Sequence, residues 1–344
     1  MKVGLIARAD DRGLGHMTWE FHRHLQPERT LVVREPGAEA QGFAPHLDRY
    51  PDGLVVRFDG GMLPEAEVRD WLQGLDVLYS AETFYDWHLV QWAAEAGVAT
   101  VLHTMPEFHH LHVPPTSSVW APTPWRIDHL PLPTRLVPVP VATDRFPMAA
   151  PARDPGRLRV LHVAGHRAAA DRNGTTQLLQ ALRYTRQPVH VRLVTQDQAL
   201  PSAARLPANV YVHRETGGVA DYWDLYDDAD VLVLPRRYGG LCLPVQEAMA
   251  AGLAVVLPDT APNDWWPALR VPGRERGHIT TAAGQLSLYA ADPQQLAQLL
   301  DQLAADPDLV AAAQLGALAW ANLHSWQALA PLYRAELERA AELR

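Results

Sequence analysis

The feature that most constrains this chain is an order of short apolar runs and amphipathic stretches that occurs twice. Each apolar run is long enough for one buried strand, and the runs lie at residues 3–7, 31–33, 54–58, 76–80, 100–103, 118–121 and 136–139, and again at 158–163, 189–194, 209–212, 231–234 and 254–257. Amphipathic stretches predict helices at 17–25, 88–96, 175–184, 219–226, 244–251 and from about residue 293 onward. Helices between buried strands are typical of a parallel, doubly wound sheet. The sequence therefore predicts an α/β chain with two such halves.

The two halves divide in a proline-rich stretch. Prolines are dense between residues 113 and 155 and the strand pattern restarts just afterwards, which predicts a hinge near 145–157. A chain of 344 residues is longer than one core usually supports. We therefore predict a first domain at 1–150 and a second at 151–325. If the two sheets face each other, the carboxyl ends of their strands meet in the cleft between them, and a ligand site is expected there.

Composition narrows the possible functions. No apolar run approaches about 18 residues, so no membrane span is expected, and the charges behind the first strand favour a cytoplasmic protein over one with a signal peptide. The one cysteine, Cys242, excludes an internal disulfide and a cysteine-based zinc site. The net charge is −9, and residues 1–150 carry 12 basic and 19 acidic groups, so there is no general basic surface for nucleic acid. Lys2 is the one lysine, so a site that needs an interior cation must use arginine.

The most informative segment is residues 228–256. It predicts a buried strand, then a glycine turn, then a helix opened by Pro244. The backbone N–H groups of Gly239, Gly240 and the first helical turn would be available to an anion. Glu247 is predicted in that first turn, where it either accepts hydrogen bonds from ligand hydroxyls or only complements the helix dipole.

This segment resembles the signature of the GT4-type glycosyltransferases of the GT-B fold. Further segments resemble other motifs of that family in the same order along the chain: His103-Thr104, Pro138 to Phe146, Val163 to Arg167 with Asp171 to Gly174, and Ser325-Trp326. The resemblance implies two Rossmann-like domains that face each other across a cleft, with residues 326–344 as a helix that crosses back to the first domain. The run Arg236 to Gly240 also resembles glycosyltransferase-like proteins of phages that infect actinobacteria.

The family implies a role for several residues. Glu247 matches the second glutamate of its E-x7-E motif, which holds the donor ribose, and Arg167 lies within one position of its phosphate-binding arginine. His103 matches a histidine near the donor sugar, and we weigh that role against an ordinary hydrogen-bonded histidine at a strand end. Asn173 replaces the family's phosphate lysine, and Arg172 beside it is the natural substitute, because a guanidinium suits phosphate oxygens.

Glycines and the loop after the strand complete the predicted donor site. Gly13 and Gly15 match the glycine loop that approaches the donor from the first domain. In the other domain we assign donor contacts to Arg236, Gly239, Gly240 and Leu241. The family has serine at 236 and the first glutamate of E-x7-E at 239. The loss of that glutamate either opens the site to a different donor sugar, such as an acidic one, or lets backbone amides approach the phosphates.

Other residue groups carry weaker signals. Glu82, Tyr85 and Asp86 follow a strand end in the acceptor half and are equally consistent with acceptor contacts or a solvated loop. Asp228 and Asp230 imitate a metal-binding pair, but they lie where a buried strand begins, so we predict no metal. A loop is favoured over a metal site for Glu107 with the histidines His109, His110 and His112. Trp223, Trp265 and Trp266 are predicted either in the core or as acceptor platforms.

The resemblance implies transfer of a sugar from a nucleoside diphosphate sugar, with retention of configuration and without a metal or other cofactor. The acceptor is not identified by the sequence and is a small molecule, a glycan or modified DNA. One alternative is a phage enzyme that glycosylates modified bases in DNA, against which the negative first half argues. The other alternative is a degenerate relative that binds nucleotide sugar without turning it over. The oligomeric state is left open.

Overall fold

A computed structural model describes residues 1–43, 45–108, 116–130, 132–147, 156–165, 171–196, 205–217, 219 and 221–343. The chain forms two compact units, one of residues 1–139 with 326–344 and the other of residues 140–325. The predicted boundary at 150 thus falls inside the second unit. The reason is local: Val141 forms a β-bridge with Ser325, and its N–H donates to the carbonyl oxygen of His324 at 2.9 Å, so this stretch pairs with the end of the second unit.

The first unit contains a parallel seven-stranded sheet. Its strands are β1 (Val3–Arg8), β2 (Arg29–Arg34), β3 (Leu54–Arg57), β4 (Val77–Ala81), β5 (Ala99–His103), β6 (Ser118–Ala121) and β7 (Thr134–Leu136). They lie in the order β3-β2-β1-β4-β5-β6-β7, and every pair is parallel. The helices between them are α1 (Gly13–Leu25), α2 (Pro36–Glu39), α3 (Glu65–Leu72) and α4 (His88–Glu95). β4 and β5 are buried along their whole length, as expected for strands covered on both faces.

The second unit also contains a seven-stranded sheet. Its strands are β8 (Leu158–Gly165), β9 (Val189–Thr195), β10 (Val210–Thr216), β11 (Val231–Val233), β12 (Ala254–Asp259), β13 (Leu269–Thr281) and β14 (Gly284–Ala291). Its helices are α5 (Thr175–Ala181), α6 (Leu243–Ala250), α7 (Pro293–Ala305) and α8 (Pro307–Leu323). The order is β10-β9-β8-β11-β12-β13-β14. The core combines the inward faces of these strands with α5 and α7, including Leu178, Leu296 and Leu300.

The last helix, α9 (Trp326–Ala341), belongs to the first unit and packs on β5, β4 and α1. Its Tyr333 is 1% exposed and Trp326 is 3% exposed. No described helix is long and apolar enough to cross a membrane.

The prediction of two α/β halves is confirmed, with two corrections. β14 runs antiparallel to β13, and this long hairpin was not predicted, because its polar, half-exposed residues lack a buried apolar run. The helix predicted at 219–226 is a short 3-10 turn over Tyr222–Tyr226. Both misses concern elements whose conformation depends on packing rather than on local periodicity.

Candidate functional site

The candidate site lies in the second unit, where β8 and β11 are neighbours and the strand order reverses. Ligands of doubly wound sheets bind beyond the carboxyl ends of the strands at such a point. The loops that follow these two strands are tied together, since the N–H of Arg237 donates to the carbonyl oxygen of Arg172 at 2.8 Å. Their approach requires a glycine: a Cβ on Gly174 would lie 2.0 Å from the carbonyl oxygen of Pro235.

The residues around Arg172 fix the loop before α5. The Asp171 carboxylate accepts hydrogen bonds from the N–H groups of Thr175 (3.1 Å) and Thr176 (2.8 Å) and so caps the helix. The side-chain amide of Asn173 donates to the carbonyl oxygens of Val163 (2.9 Å) and Ala164 (3.3 Å). The structure therefore gives Asn173 a role in holding the strand end, which is a correction to its predicted contact with the donor.

Two guanidinium groups converge on Gly239. A Cβ built on this glycine would lie 2.5 Å from Nη2 of Arg172, 2.8 Å from its Nε and 2.9 Å from Nη2 of Arg236. Gly239 also has a φ of +109°, a left-handed conformation that other residues rarely adopt. The carbon Cζ of Arg172 lies 5.6 Å from the centre of the Tyr238 ring. The structure thus brings together three of the predicted residues, Arg172, Arg236 and Gly239. Arg167, the other predicted phosphate arginine, lies outside the described residues.

Arg236 and Arg237 differ in their surroundings. Arg236 is 2% exposed, and it donates from Nη1 to the carbonyl oxygen of Gly240 (3.3 Å) and from Nη2 to that of Leu241 (3.2 Å). Arg237 instead joins the loop to β14: its Nε donates to the carbonyl oxygen of Tyr289 at 3.2 Å, and the N–H of Tyr289 donates back to its carbonyl oxygen at 2.9 Å. Sequence reasoning missed Tyr289 because it did not predict the hairpin.

Glu247 lies in the second turn of α6 rather than in the first, because the helix begins at Leu243. This position removes the alternative in which it only complements the helix dipole. Its carboxylate accepts a hydrogen bond from the hydroxyl of Tyr226, a buried residue that the sequence did not single out. Burial, together with the neighbouring Glu247 charge, raises the pKa of Tyr226, so the hydroxyl stays protonated and remains a donor.

The first unit places His103 in its core. The side chain is fully buried, and its Nδ1 hydrogen-bonds the hydroxyl of Tyr79 at 2.9 Å and lies 3.5 Å from that of Tyr333. The Trp120 ring packs against it edge-on, with centroids 5.7 Å apart. Burial lowers the pKa of His103 to about 3, partly offset by a hydrogen bond with the backbone of Val137. The prediction that His103 faces the transferred sugar is therefore corrected: its partners are three aromatic side chains.

The glycines before and inside α1 also serve the first unit. Gly13 begins the helix, and a Cβ on Gly15 would lie 1.9 Å from the carbonyl oxygen of Asp10, so only glycine fits the close passage of the two segments. The carboxylate of Asp10 is held in turn by the guanidinium groups of Arg8 and Arg12. Contact of Gly13 and Gly15 with a donor stays a prediction.

The predicted acceptor residues divide into two kinds. The Asp86 carboxylate accepts hydrogen bonds from the N–H groups of Leu63 (2.9 Å) and His88 (3.0 Å), so it fixes the loop before α4. Glu82 and Tyr85 both have a φ of +65°, and the Tyr85 ring lies 5.9 Å from Cζ of Arg8. Side chains in such backbone conformations cluster at functional sites, so an acceptor role for these two stays a prediction.

The possible metal ligands are otherwise engaged or undescribed. The buried Asp230 carboxylate accepts from the N–H of Arg159 at 2.8 Å and from its Nη2 at 2.7 Å, while the Asp228 side chain is 95% exposed. The predicted loop histidines lie outside the described residues. Of the tryptophans, Trp266 is 2% exposed and its ring centre lies 6.0 Å from Cζ of Arg236.

Comparisons with known proteins agree with this arrangement. Residues 157–306 match the family described as glycosyl transferases group 1. The chain has the GT-B glycosyltransferase fold. HepE from Anabaena, solved with UDP and glucose, aligns over 98% of this chain and 100% of its own at 13% identity and a TM-score of 0.69.

Two further solved structures are similar over the whole chain. A glycosyltransferase from Rickettsia africae aligns over 99% of this chain and 98% of its own, at 13% identity and a TM-score of 0.67. Sucrose-phosphate synthase from Thermosynechococcus elongatus aligns over 98% of both chains, at 15% identity and a TM-score of 0.65. No curated protein sequence matches significantly. The predicted resemblance to glycosyltransferases of the GT-B fold is confirmed, and the family match includes Arg172, Arg236, Gly239 and Glu247.

Proposed function

We propose that this protein transfers a sugar from a nucleoside diphosphate sugar, as GT4-type enzymes do, and that the second unit binds the donor. The observation that carries the proposal is the pair of guanidinium groups at Gly239, which stand beside the N-terminus of α6 within the segment that matches the glycosyltransferase family. HepE, a structural neighbour, was solved with UDP-glucose, which supports a donor of this class. Cations and a helix N-terminus together are suited to a diphosphate.

The reaction then needs charge stabilisation at the leaving group. The bond between the anomeric carbon and the β-phosphate oxygen breaks, and its electron pair stays on the phosphate. The acceptor hydroxyl oxygen forms the new bond to that carbon and loses its proton. Arg172 and the positive end of α6 are placed to stabilise the growing phosphate charge, which is the largest electrostatic demand of the step.

Glu247 is proposed to bind the ribose of the donor. Its carboxylate is anchored by Tyr226 and is 8% exposed, so it is held in one orientation while it keeps some access to a ligand. Carboxylate oxygens accept hydrogen bonds from vicinal hydroxyls, and such a contact is similar in the ground and transition states. Glu247 should therefore set the affinity for the nucleotide rather than the rate of transfer.

Retention of configuration and catalysis without a metal are part of the proposal. The GT4 resemblance supports retention. The engagement of Asp230 by Arg159 supports a reaction in which arginines and amides, rather than a metal held by Asp228 and Asp230, neutralise the leaving group. Glu82 and Tyr85 in the first unit are proposed as acceptor contacts.

The test is a binding panel followed by a turnover assay. Five nucleoside diphosphates and their common sugar conjugates are screened by thermal shift, since a ligand at about 100 times its Kd adds about 2.7 kcal/mol to the stability of the native protein. Arg172→Met should abolish the shift, and Arg183→Met, which changes an exposed arginine of the same unit, should keep it. Lack of any shift would contradict the proposal. Binding without donor hydrolysis or transfer would replace it with a nucleotide-sugar-binding protein.

A further inference from the structure

We infer that Arg236 is a positioning residue that turns two backbone amides, those of Leu241 and Cys242, toward the phosphates of the donor. The inference rests on the proposed function, and it separates the two arginines at Gly239. Arg172 is half-buried and can present its guanidinium to a ligand, whereas Arg236 is 2% exposed and offers a ligand almost no surface. The role of Arg236 must therefore be carried by what it touches inside the protein.

Arg236 touches two consecutive carbonyl groups. Its Nη1 donates to the carbonyl oxygen of Gly240 at 3.3 Å, and its Nη2 donates to that of Leu241 at 3.2 Å. The flat guanidinium thus holds both peptide planes at once, which a lysine ammonium with its single nitrogen does not do in the same way. The Trp266 ring, centred 6.0 Å from Cζ, and the buried setting limit where this guanidinium can move.

The geometry of the peptide bond turns this contact into a statement about N–H groups. In a trans peptide the C=O and the following N–H point in opposite directions. Because Arg236 holds the carbonyls of Gly240 and Leu241, the N–H groups of Leu241 and Cys242 point away from it. In the described part of the chain, neither of these two N–H groups donates a hydrogen bond to protein.

These two amides also lie directly before α6. The cap residue, Cys242, makes no side-chain hydrogen bond to the helix, and Pro244 has no N–H to offer. Orphan donors at a helix N-terminus are satisfied by a side chain, by water or by a ligand. The uncapped start of α6, the two oriented amides and the adjacent Arg172 therefore form a single anion-binding surface, and Arg236 sets the direction of its backbone part.

The single cysteine makes this orientation directly measurable. In protein labelled with carbonyl-¹³C leucine and ¹⁵N cysteine, the peptide between Leu241 and Cys242 is the one linkage that gives a signal in a carbonyl–amide correlation experiment. The carbonyl shift reports the hydrogen bond to Arg236, and the amide proton shift reports what Cys242 donates to. We expect Arg236→Lys and Arg236→Met to move the carbonyl shift upfield in ligand-free protein. The matched control Arg237→Met, whose guanidinium bonds to Tyr289 instead, should leave it in place.

The second arm adds inorganic pyrophosphate, which tests the phosphate site without a nucleobase. In the wild type the amide proton of Cys242 should move downfield at saturation, and in Arg236→Lys the affinity should fall by tenfold or more. An unchanged carbonyl shift in both Arg236 variants would overturn the inference, as would an unmoved Cys242 proton at saturating pyrophosphate. If both arms succeed but no nucleotide sugar is turned over, the positioning role stands and the proposed transfer reaction fails.

Discussion

Gly239→Ala separates two consequences of the loop geometry that the wild type combines. The new Cβ meets Nη2 of Arg172 at 2.5 Å and Nη2 of Arg236 at 2.9 Å, both closer than atoms of these kinds pack. The head of Arg172 is partly exposed and can swing aside, while Arg236 is held by two carbonyl groups. We therefore expect Arg172 to move and the fold of the loop to persist.

Two magnitudes follow from this geometry. The φ of +109° costs a residue with a Cβ about 1 to 2 kcal/mol, which lowers the free energy of unfolding by that amount. Displacing Arg172 removes a hydrogen bond between charged groups worth about 1.5 to 3 kcal/mol. That loss corresponds to a rise of roughly tenfold to more than a hundredfold in the Kd for a nucleoside diphosphate. The affinity should therefore fall by more than the stability loss alone would explain.

A matched control isolates the contact from the backbone cost. Gly277, in β13, has a φ of +126°, and a Cβ added to it would have no neighbour within 4 Å, so Gly277→Ala carries the conformational penalty without the clash. Denaturant unfolding and calorimetry are measured for both variants. We expect similar losses of stability and a loss of nucleotide affinity in Gly239→Ala alone. Equal nucleotide affinities in the two variants would refute the argument that Gly239 makes room for Arg172.

Three further outcomes test other parts of the structure. Glu247→Ala should weaken nucleoside diphosphate binding about tenfold by calorimetry, and Tyr226→Phe should do so by less, because it frees the carboxylate without removing it; unchanged affinity in both would return Glu247 to a purely structural role. His103→Gln should flatten the pH dependence of unfolding between pH 6.5 and about 3: the native protein keeps His103 neutral there while the unfolded chain binds a proton, so the wild type loses up to about 1.4 kcal/mol of stability per pH unit as pH falls. Arg159→Met should cost the second unit about 3 to 5 kcal/mol in denaturant unfolding, since it leaves the buried Asp230 charge without its partner; a loss below about 1 kcal/mol would mean that the pair does not hold the strand.

The parallel part of the fold could be predicted because its strands are buried on both faces. A strand such as β4 has no residue that must stay polar, so its apolar run is visible without an alignment. The β13–β14 hairpin could not be predicted, because half of its residues face solvent and its pairing depends on distant partners. The domain boundary was shifted for a similar reason: the bridge between Val141 and Ser325 joins residues that are far apart in sequence.

The site was partly predictable. Arg172 and Gly239 could be found because a loop between a strand and a helix is where anions bind, and the structure brings the two together. His103 shows the limit of a motif match. A histidine at the end of a buried strand fits a sugar contact and a core hydrogen bond equally well in sequence. The hydroxyl groups of Tyr79 and Tyr333, one of them 230 residues away, decide between the two.

The two departures from the family signature, arginine at 236 and glycine at 239, are best understood as one structural change. The guanidinium of Arg236 and that of Arg172 occupy the space that a side chain at 239 would enter. Once an arginine stands at 236 and bonds the carbonyls of Gly240 and Leu241, residue 239 has to be glycine, whatever sugar the donor carries. The missing glutamate is thus explained by the packing of the loop and is not by itself evidence for an acidic donor sugar. A preference for such a donor would have to come from the positive charge of Arg172, which is why the affinity of Gly239→Ala, and not the identity of the residue, bears on specificity.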